Sequence, residues 1–346
     1  MDEKLKILRS PDYKEKSITS LLLLVFSLCF CQAQNHVTIA SIGGEGPVLK
    51  ANLAPQVAVN NMIDYWNERI EEVLPFRPDL IVLPEVFDRP SKYLSSEMKI
   101  TYYEVRKNQV RDYLASVAKT NNCYIAFGTR REDTKGNLRN SCIILDRSGK
   151  TVGIYDKNFP TIREMEEGIV AGTEVPIIET DFGRVAAAIC FDLNFMELLD
   201  KYAQEKPDII LFPSMYHGGL EQGNWAYSSR SFFVSSLGPN ELISEIRNPL
   251  GEVIASSTNY FHYVVATINL DAELAHLDGN WQKLRALKEK YGEFVTISDP
   301  GKLGAVLISS EKKDISANQM IREFDIELLD DYFNRSRNYR LRQIKD

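Results

Sequence analysis

Two proline-closed apolar runs constrain this chain most: DLIVLPE at 79–85 and DIILFPS at 208–214. Apolar runs this short, bounded by breakers, predict buried strands. A helical pattern precedes each. Before the first, Val59, Met62, Ile63, Trp66, Ile70 and Val73 recur at helical spacing. Pro55 suits the first turn of that helix, and Pro75 and Pro78 close it. Before the second, GRVAAAICFD reads as a strand and NFMELLDKYAQ as a helix, so the second block repeats the order of the first.

The intervening sequence fills in the same architecture. HVTIASI at 36–42 predicts a first strand, and a second helix is expected over 101–119 with Val110, Leu114 and Val117 inward. CYIAFGT, NSCIILD and TVGIYDK read as strands, with SGK at 148–150 as a hairpin turn. A helix is expected over 224–236, then strands over 242–247, 253–257 and 263–268, with LGE at 250–252 as a turn. Antiparallel runs mixed with strand–helix–strand units predict an α/β fold, its sheets each covered by helices on one face. No linker divides 34–270, which reads as one domain. Residues 271–346 are polar and helical in parts, and are expected to form a C-terminal extension that docks or acts as a dimer arm.

Residues 1–33 differ from the rest. Lys4, Lys6, Arg9, Lys14 and Lys16 precede the 13-residue apolar run ITSLLLLVFSLCF, and CQA follows. This reads as a signal peptide cleaved after Ala33, which predicts export to a periplasm or outside the cell. A retained membrane anchor is the alternative, although a span needs about 20 apolar residues. The formal net charge of −7 and the lack of a long basic run argue against nucleic-acid partners and anionic membranes. The histidines His36, His217, His262 and His276 have no paired spacing, so no metal site is expected. No glycine-rich phosphate loop follows a strand.

Beyond the leader, Cys123, Cys142 and Cys190 remain, and an odd number leaves a free thiol. Cys123 and Cys142 sit in strand-like runs and read as buried core, with a disulfide between them as the alternative. Cys190 ends the run AAAI, just as Lys157 follows GIYD and Glu85 follows LIVLP. A strand end is where a rigid sheet presents side chains to a cleft. Together the three are chemically coherent. A carboxylate accepts a thiol proton and returns it to a leaving amine. An ammonium stabilises a thiolate and then a tetrahedral oxyanion, with the Phe191 N–H assisting. Taken singly, each has a bland reading: a surface turn, a solvated lysine, an inert buried thiol.

The segments LPEVF, YDKNFPTIRE and AAAICFDLNFMEL resemble the three signature segments of the nitrilase, or carbon–nitrogen hydrolase, superfamily. Order and separation agree, with 72 residues from Glu85 to Lys157 and 33 from Lys157 to Cys190. The flanking segments NSCIILDRSGKTVGIYDK, DIILFPSMY and NPLGEVIA are similar too, so the resemblance covers about 36–270. It implies a four-layer αββα sandwich, commonly paired into dimers, and a Glu85–Lys157–Cys190 triad without metal or cofactor. A second glutamate shortly after the lysine is also implied; Glu164 fits best, with Glu166 and Glu167 as rivals. DLNFME departs from the Asp-Leu-Arg-Phe-Pro-Glu common in amidase-like members, with Asn194 for arginine and Met196 for proline. Phe191, where true nitrilases carry tryptophan, is amidase-like. Phe191, Tyr216, His217 and Trp225 are the candidates for the substrate wall. The activity implied is cleavage of an amide or carbamoyl carbon–nitrogen bond of a small molecule through a cysteine thioester. Acyl transfer to an amine and a catalytically silent scaffold are the alternatives.

Overall fold

The computed structural model describes residues 36–48, 53–89 and 96–344, so the leader at 1–33 lies outside the described residues. The first sheet is built from β1 (His36–Ile42), β2 (Leu80–Val82), β3 (Tyr124–Glu132), β4 (Leu138–Leu145) and β5 (Thr151–Asp156). The second contains β6 (Ile178–Glu179), β7 (Arg184–Ala187), β8 (Ile209–Ser214), β9 (Phe232–Leu237), β10 (Glu245–Arg247) and β11 (Val253–Ser256). A last strand, β12 (Tyr263–Asn269), returns to the first sheet and pairs antiparallel with β1. The repeat in the sequence becomes a repeat in topology. β1, β2 and β3 run parallel at the centre of one sheet, and β7, β8 and β9 do so in the other. Antiparallel strands flank both trios.

Crossover helices explain the parallel centres, because parallel neighbours cannot be joined by a hairpin. α1 (Pro55–Val73) buries Val59, Met62, Trp66, Ile70 and Val73 against Ala40, Ile42, Ile81 and Ile125 of the first sheet. The alternate residues of that sheet, Val37, Ile39, Leu80, Val82 and Ala126, share a core with the second sheet. Helices covering the second sheet add Leu198, Leu199, Tyr202 and Trp225 to that core. The result is the expected αββα layering.

Three stretches differ from the sequence expectation. The helix expected over 101–119 is two helices, α2 (Ser96–Arg106) and α3 (Gln109–Asn121), broken where Lys107 turns left-handed at φ 41°. After the short α4 (Ile162–Glu166) and α5 (Met196–Glu205), the helix expected over 224–236 is α6 (Leu220–Ser229). It stops at Arg230, φ 62°, and the apolar run after it pairs with β8 as β9. Residues 271–346 are more than polar helices. Strands β13 (Ala272–His276), β14 (Val295–Ser298) and β15 (Ala305–Ser310) form an antiparallel sheet, covered by α7 (Trp281–Tyr291) and α8 (Ala317–Glu323). Leu284, Leu287, Val306, Ile308, Met320 and Ile321 give it a core of its own. In α9 (Leu329–Gln343), Asp330 accepts hydrogen bonds from Lys206 and from Arg230, the latter at 2.9 Å.

Cys123 and Cys142 are buried and unpaired. Cys142 lies opposite Gly128 in the β3–β4 register, five residues along from Cys123, which rules out the disulfide alternative. Among the described residues no helix is long and apolar enough to cross a membrane.

Candidate active site

The apolar run after β7 stays extended through Ile189 and then turns sharply. Cys190 sits at that turn with φ 49°, a left-handed conformation that non-glycine residues rarely adopt. A 3₁₀ turn over Cys190–Asn194 follows. Asp192, fully buried, holds this elbow in place. Its Oδ2 accepts from the Ile189 N–H at 2.8 Å and the Tyr155 hydroxyl at 2.7 Å, and its Oδ1 from the Phe159 N–H at 2.7 Å. The carboxylate two residues after the thiol therefore ties the cysteine turn to the lysine loop. Burial pushes its pKa up to about 6, against the lowering effect of the three donors.

Lys157 lies just past β5 and is 1% exposed. Its ammonium donates to Glu85 Oε1 at 2.9 Å and Glu164 Oε2 at 2.8 Å. Burial alone would lower its pKa, but Glu85, Cys190 and Glu164 outweigh burial and hold it above the ordinary lysine value. Glu85 is 4% exposed. Its backbone passes close to Gly128, where an added Cβ would stand 2.6 Å from the Glu85 Cα. Val86 beside it has φ 43°, so both Glu85 and Cys190 are presented from strained turns. Glu85 Oε2 also accepts from the Met215 N–H at 3.1 Å.

Glu164 is fixed by a capping box. Thr161 is the N-cap of α4, its hydroxyl accepts the Glu164 N–H, and Glu164 Oε2 accepts the Thr161 N–H at 2.8 Å. Burial acts to raise the Glu164 pKa, but Lys157 and the donors of Thr161 and Asn140 bring it below the ordinary glutamate value. The rivals are placed elsewhere: Glu167 pairs with Arg130 at 2.9 Å, and Glu166 is exposed. Asn140, which the sequence reading did not single out, joins the two glutamates. Its Nδ2 donates to Glu85 Oε1 and to Glu164 Oε1, each at 2.7 Å.

Cys190 shares a cavity of about 170 Å³ with Glu85, Lys157, Glu164 and Asn140. Burial pushes its thiol up to about 12; Glu85 adds to this, while Lys157 and the Met215 N–H oppose it. Arg89, Arg130 and Met215 also line the cavity. The four wall candidates do not. Phe191 is 37% exposed, its ring edge-on to Phe195. Tyr216 accepts from Asn194 Nδ2 at 3.2 Å, and His217 lies 3.8 Å from Glu245. Trp225 is core: it is fully buried, and its indole N–H donates to the Leu193 carbonyl under the elbow. Among the described residues no cluster of His, Cys, Asp or Glu is arranged to hold a metal.

The family model described as Carbon-nitrogen hydrolase matches residues 38–236, which span all four groups. The chain belongs to the carbon–nitrogen hydrolase family. Omega-amidase NIT2 of Xenopus tropicalis is 25% identical over 227 residues, 58% of this chain and 80% of that protein. Hydrolase C26A3.11 of Schizosaccharomyces pombe is 25% identical over 277 residues, 70% of this chain and 84% of that protein. Among solved structures, an amidase from Nesterenkonia sp. aligns with a TM-score of 0.57 at 15% identity, over 72% of this chain and 95% of that one. This carbon–nitrogen hydrolase thus shares its fold with amidases of low sequence similarity.

Proposed function

We propose that this carbon–nitrogen hydrolase cleaves small linear amides through a thioester on Cys190. The observation that carries the reading is the buried contact set of Glu85, which faces the Cys190 thiol and the Lys157 ammonium in one cavity. A thiol held near 12 is protonated at neutral pH and needs a base at the moment of attack. Glu85 takes the Sγ proton as sulfur bonds to the carbonyl carbon. The carbonyl oxygen becomes an oxyanion, stabilised by the Lys157 ammonium and the Phe191 N–H. Glu85 returns the proton to the nitrogen, the C–N bond breaks, and ammonia or an amine leaves. Water then attacks the thioester and gives a proton to Glu85. The C–S bond breaks, the proton returns to sulfur, and the carboxylic acid departs. Glu164 holds Lys157 through a hydrogen bond of its own and positions it throughout.

Rapid quenching during turnover of a simple amide, followed by mass spectrometry, tests the scheme. The acyl mass is expected on the Cys190 peptide, and Glu85→Gln is expected to lower kcat by about 10²–10⁴. A panel of linear amides giving neither turnover nor adduct would overturn it. The 1–33 leader supports a separate proposal, export, read by N-terminal sequencing of the mature chain. Gln34 in first place supports it, and retention of Met1 overturns it.

A further inference from the structure

We propose that Asp330 is a positioning residue for catalysis: its carboxylate ties together the far ends of α5 and α6, the two helices that support the Cys190 turn and the loop bound to Glu85. The effect on turnover rests on the amide-hydrolase reading; the effect on the Cys190 thiol does not.

Both helices start at the site. α5 begins at Met196, just past the 3₁₀ turn that Cys190 opens. α6 follows the loop in which the Met215 N–H donates to Glu85 Oε2 at 3.1 Å. On α6, the Trp225 indole N–H donates to the Leu193 carbonyl of the Cys190 turn at 3.0 Å, and Gln222 donates to the His217 carbonyl of the loop. Tyr202 of α5 packs edge-on against Trp225, ring centroids 5.9 Å apart. Each helix has 10 residues, so each runs about 15 Å away from the site.

The far ends converge on one group. α5 ends at Lys206 and α6 at Arg230, both left-handed, with φ 49° and 62°. Lys206 Nζ donates to Asp330 Oδ2. Arg230 donates to Asp330 Oδ1 from Nη2 at 2.9 Å and from Nε at 3.3 Å. Arg230 is also held by α6 itself, through the Tyr227 carbonyl and the Tyr227 ring, whose centroid lies 4.8 Å from the guanidinium carbon. Asp330 stands in the first turn of α9, so the positive end of one helix dipole meets the negative ends of two. Burial acts to raise the Asp330 pKa, but Lys206 and Arg230 bring it below the ordinary aspartate value.

Adhesion at this joint comes from other groups. Tyr227 and Leu250 pack with Leu274 and Leu307 of the C-terminal sheet and Leu329 of α9. Apolar contact is non-directional. A cavity of about 150 Å³ between Lys206, Arg230, Glu273 and Leu307 also leaves the joint without close packing beside the ion pairs. Charge-assisted hydrogen bonds do have a preferred geometry. The leucines therefore keep the C-terminal sheet on the body, and Asp330 fixes where the two helix ends lie.

The test is the rate at which iodoacetamide alkylates Cys190, read by mass spectrometry of the Cys190 peptide, alongside kcat and KM on one amide, all on the full chain. Alkylation reports the setting of the thiol beside Glu85 and Lys157 and needs no turnover. Asp330→Asn keeps the shape and removes the charge. It is expected to slow alkylation about threefold or more, and to lower kcat about tenfold with KM within about twofold. Asp330→Glu is expected to recover part of both losses. Asp331→Asn, at the exposed next residue, is expected to leave both unchanged. If Asp330 acts through Arg230, Asp330→Asn costs less on an Arg230→Gln background than alone. Unchanged alkylation in Asp330→Asn overturns the proposal whatever happens to Tm, and so does an equal loss in Asp331→Asn or full additivity with Arg230→Gln. Should Asp330→Asn fail to fold, Lys206→Gln, at a half-exposed side chain, carries the same expectation and the same veto. The expected alkylation pattern without turnover in any of the proteins upholds Asp330 and counts against the amidase reading alone.

Discussion

The Asp192 carboxylate accepts the Phe159 N–H at 2.7 Å, and this one bond joins the turn carrying Cys190 to the loop carrying Lys157. The other oxygen of Asp192 closes the cysteine turn on itself through Ile189. A buried carboxylate with three donors fixes two loops from different halves of the sandwich, which no apolar side chain could do.

Asp192 also carries a pH signature. Its pKa rises from 3.8 to about 6 on folding, so the folded chain holds this proton more tightly than the unfolded one. The contribution to stability is full below about 4 and is lost as pH rises through 6. Asp192→Asn cannot titrate. The stability gap between wild type and Asp192→Asn is expected to narrow by about 3 kcal/mol from pH 4 to pH 7. Urea denaturation across that range measures it, and a level gap would show that Asp192 does not titrate there.

Lys157 is the only described cation hydrogen-bonded to both Glu85 and Glu164. Lys157→Met leaves two buried carboxylates without a counter-charge, at a cost of about 3–5 kcal/mol. The pH response should also invert. In the wild type the Glu164 pKa is lowered, so its stabilisation is present above the ordinary glutamate value and is lost on acidification through the folded pKa. In Lys157→Met, acid neutralises the stranded pair and should raise Tm. Thermal melts of both proteins from pH 4 to 7 decide this, and activity should be lost throughout.

Asn140 donates to two groups that only accept when ionised, so its amide orientation is forced. Asn140→Asp would gather three carboxylates around one ammonium. We expect kcat/KM to fall by about a hundredfold and the acid limb of its pH profile to move up, because like charges raise carboxylate pKa values. Asn140→Ala should lower the rate without adding charge. A pH–rate profile that coincides for the Asp and Ala variants would deny Asn140 its electrostatic part.

Glu85, Lys157 and Cys190 were legible as a candidate set because each stands where an apolar run stops, but each alone has a bland reading, and it took the order and spacing of the resemblance to join them. Glu164 needed the resemblance, because an acidic turn looks the same whether or not it reaches a lysine. Asn140, Arg89 and Arg130 were invisible for a different reason. Asn140 meets Glu85 from 55 residues away, and it faces Arg130 only through the β3–β4 register. Trp225 was ambiguous because a buried helix face and a pocket wall have the same spacing. The third sheet hid behind short strands with polar neighbours: of VTIS at 295–298, only Val295 is fully buried.

Gly128 supplies the sharpest mutational test of how Glu85 is held. An added Cβ would meet the Glu85 Cα at 2.6 Å and the Pro84 carbonyl oxygen at 2.8 Å, and both are backbone atoms that cannot swing aside. Gly128→Ala must therefore displace the segment that aims the carboxylate at Cys190. Overpacking of this kind costs about 1–3 kcal/mol in stability. The larger effect should be on chemistry, since a shift of about 1 Å in a catalytic group costs about a hundredfold in rate. Urea denaturation and kcat on one amide separate the two. A Gly128→Ala protein that keeps wild-type kcat would mean that Glu85 tolerates displacement, and its role as the base for Cys190 would have to be given up.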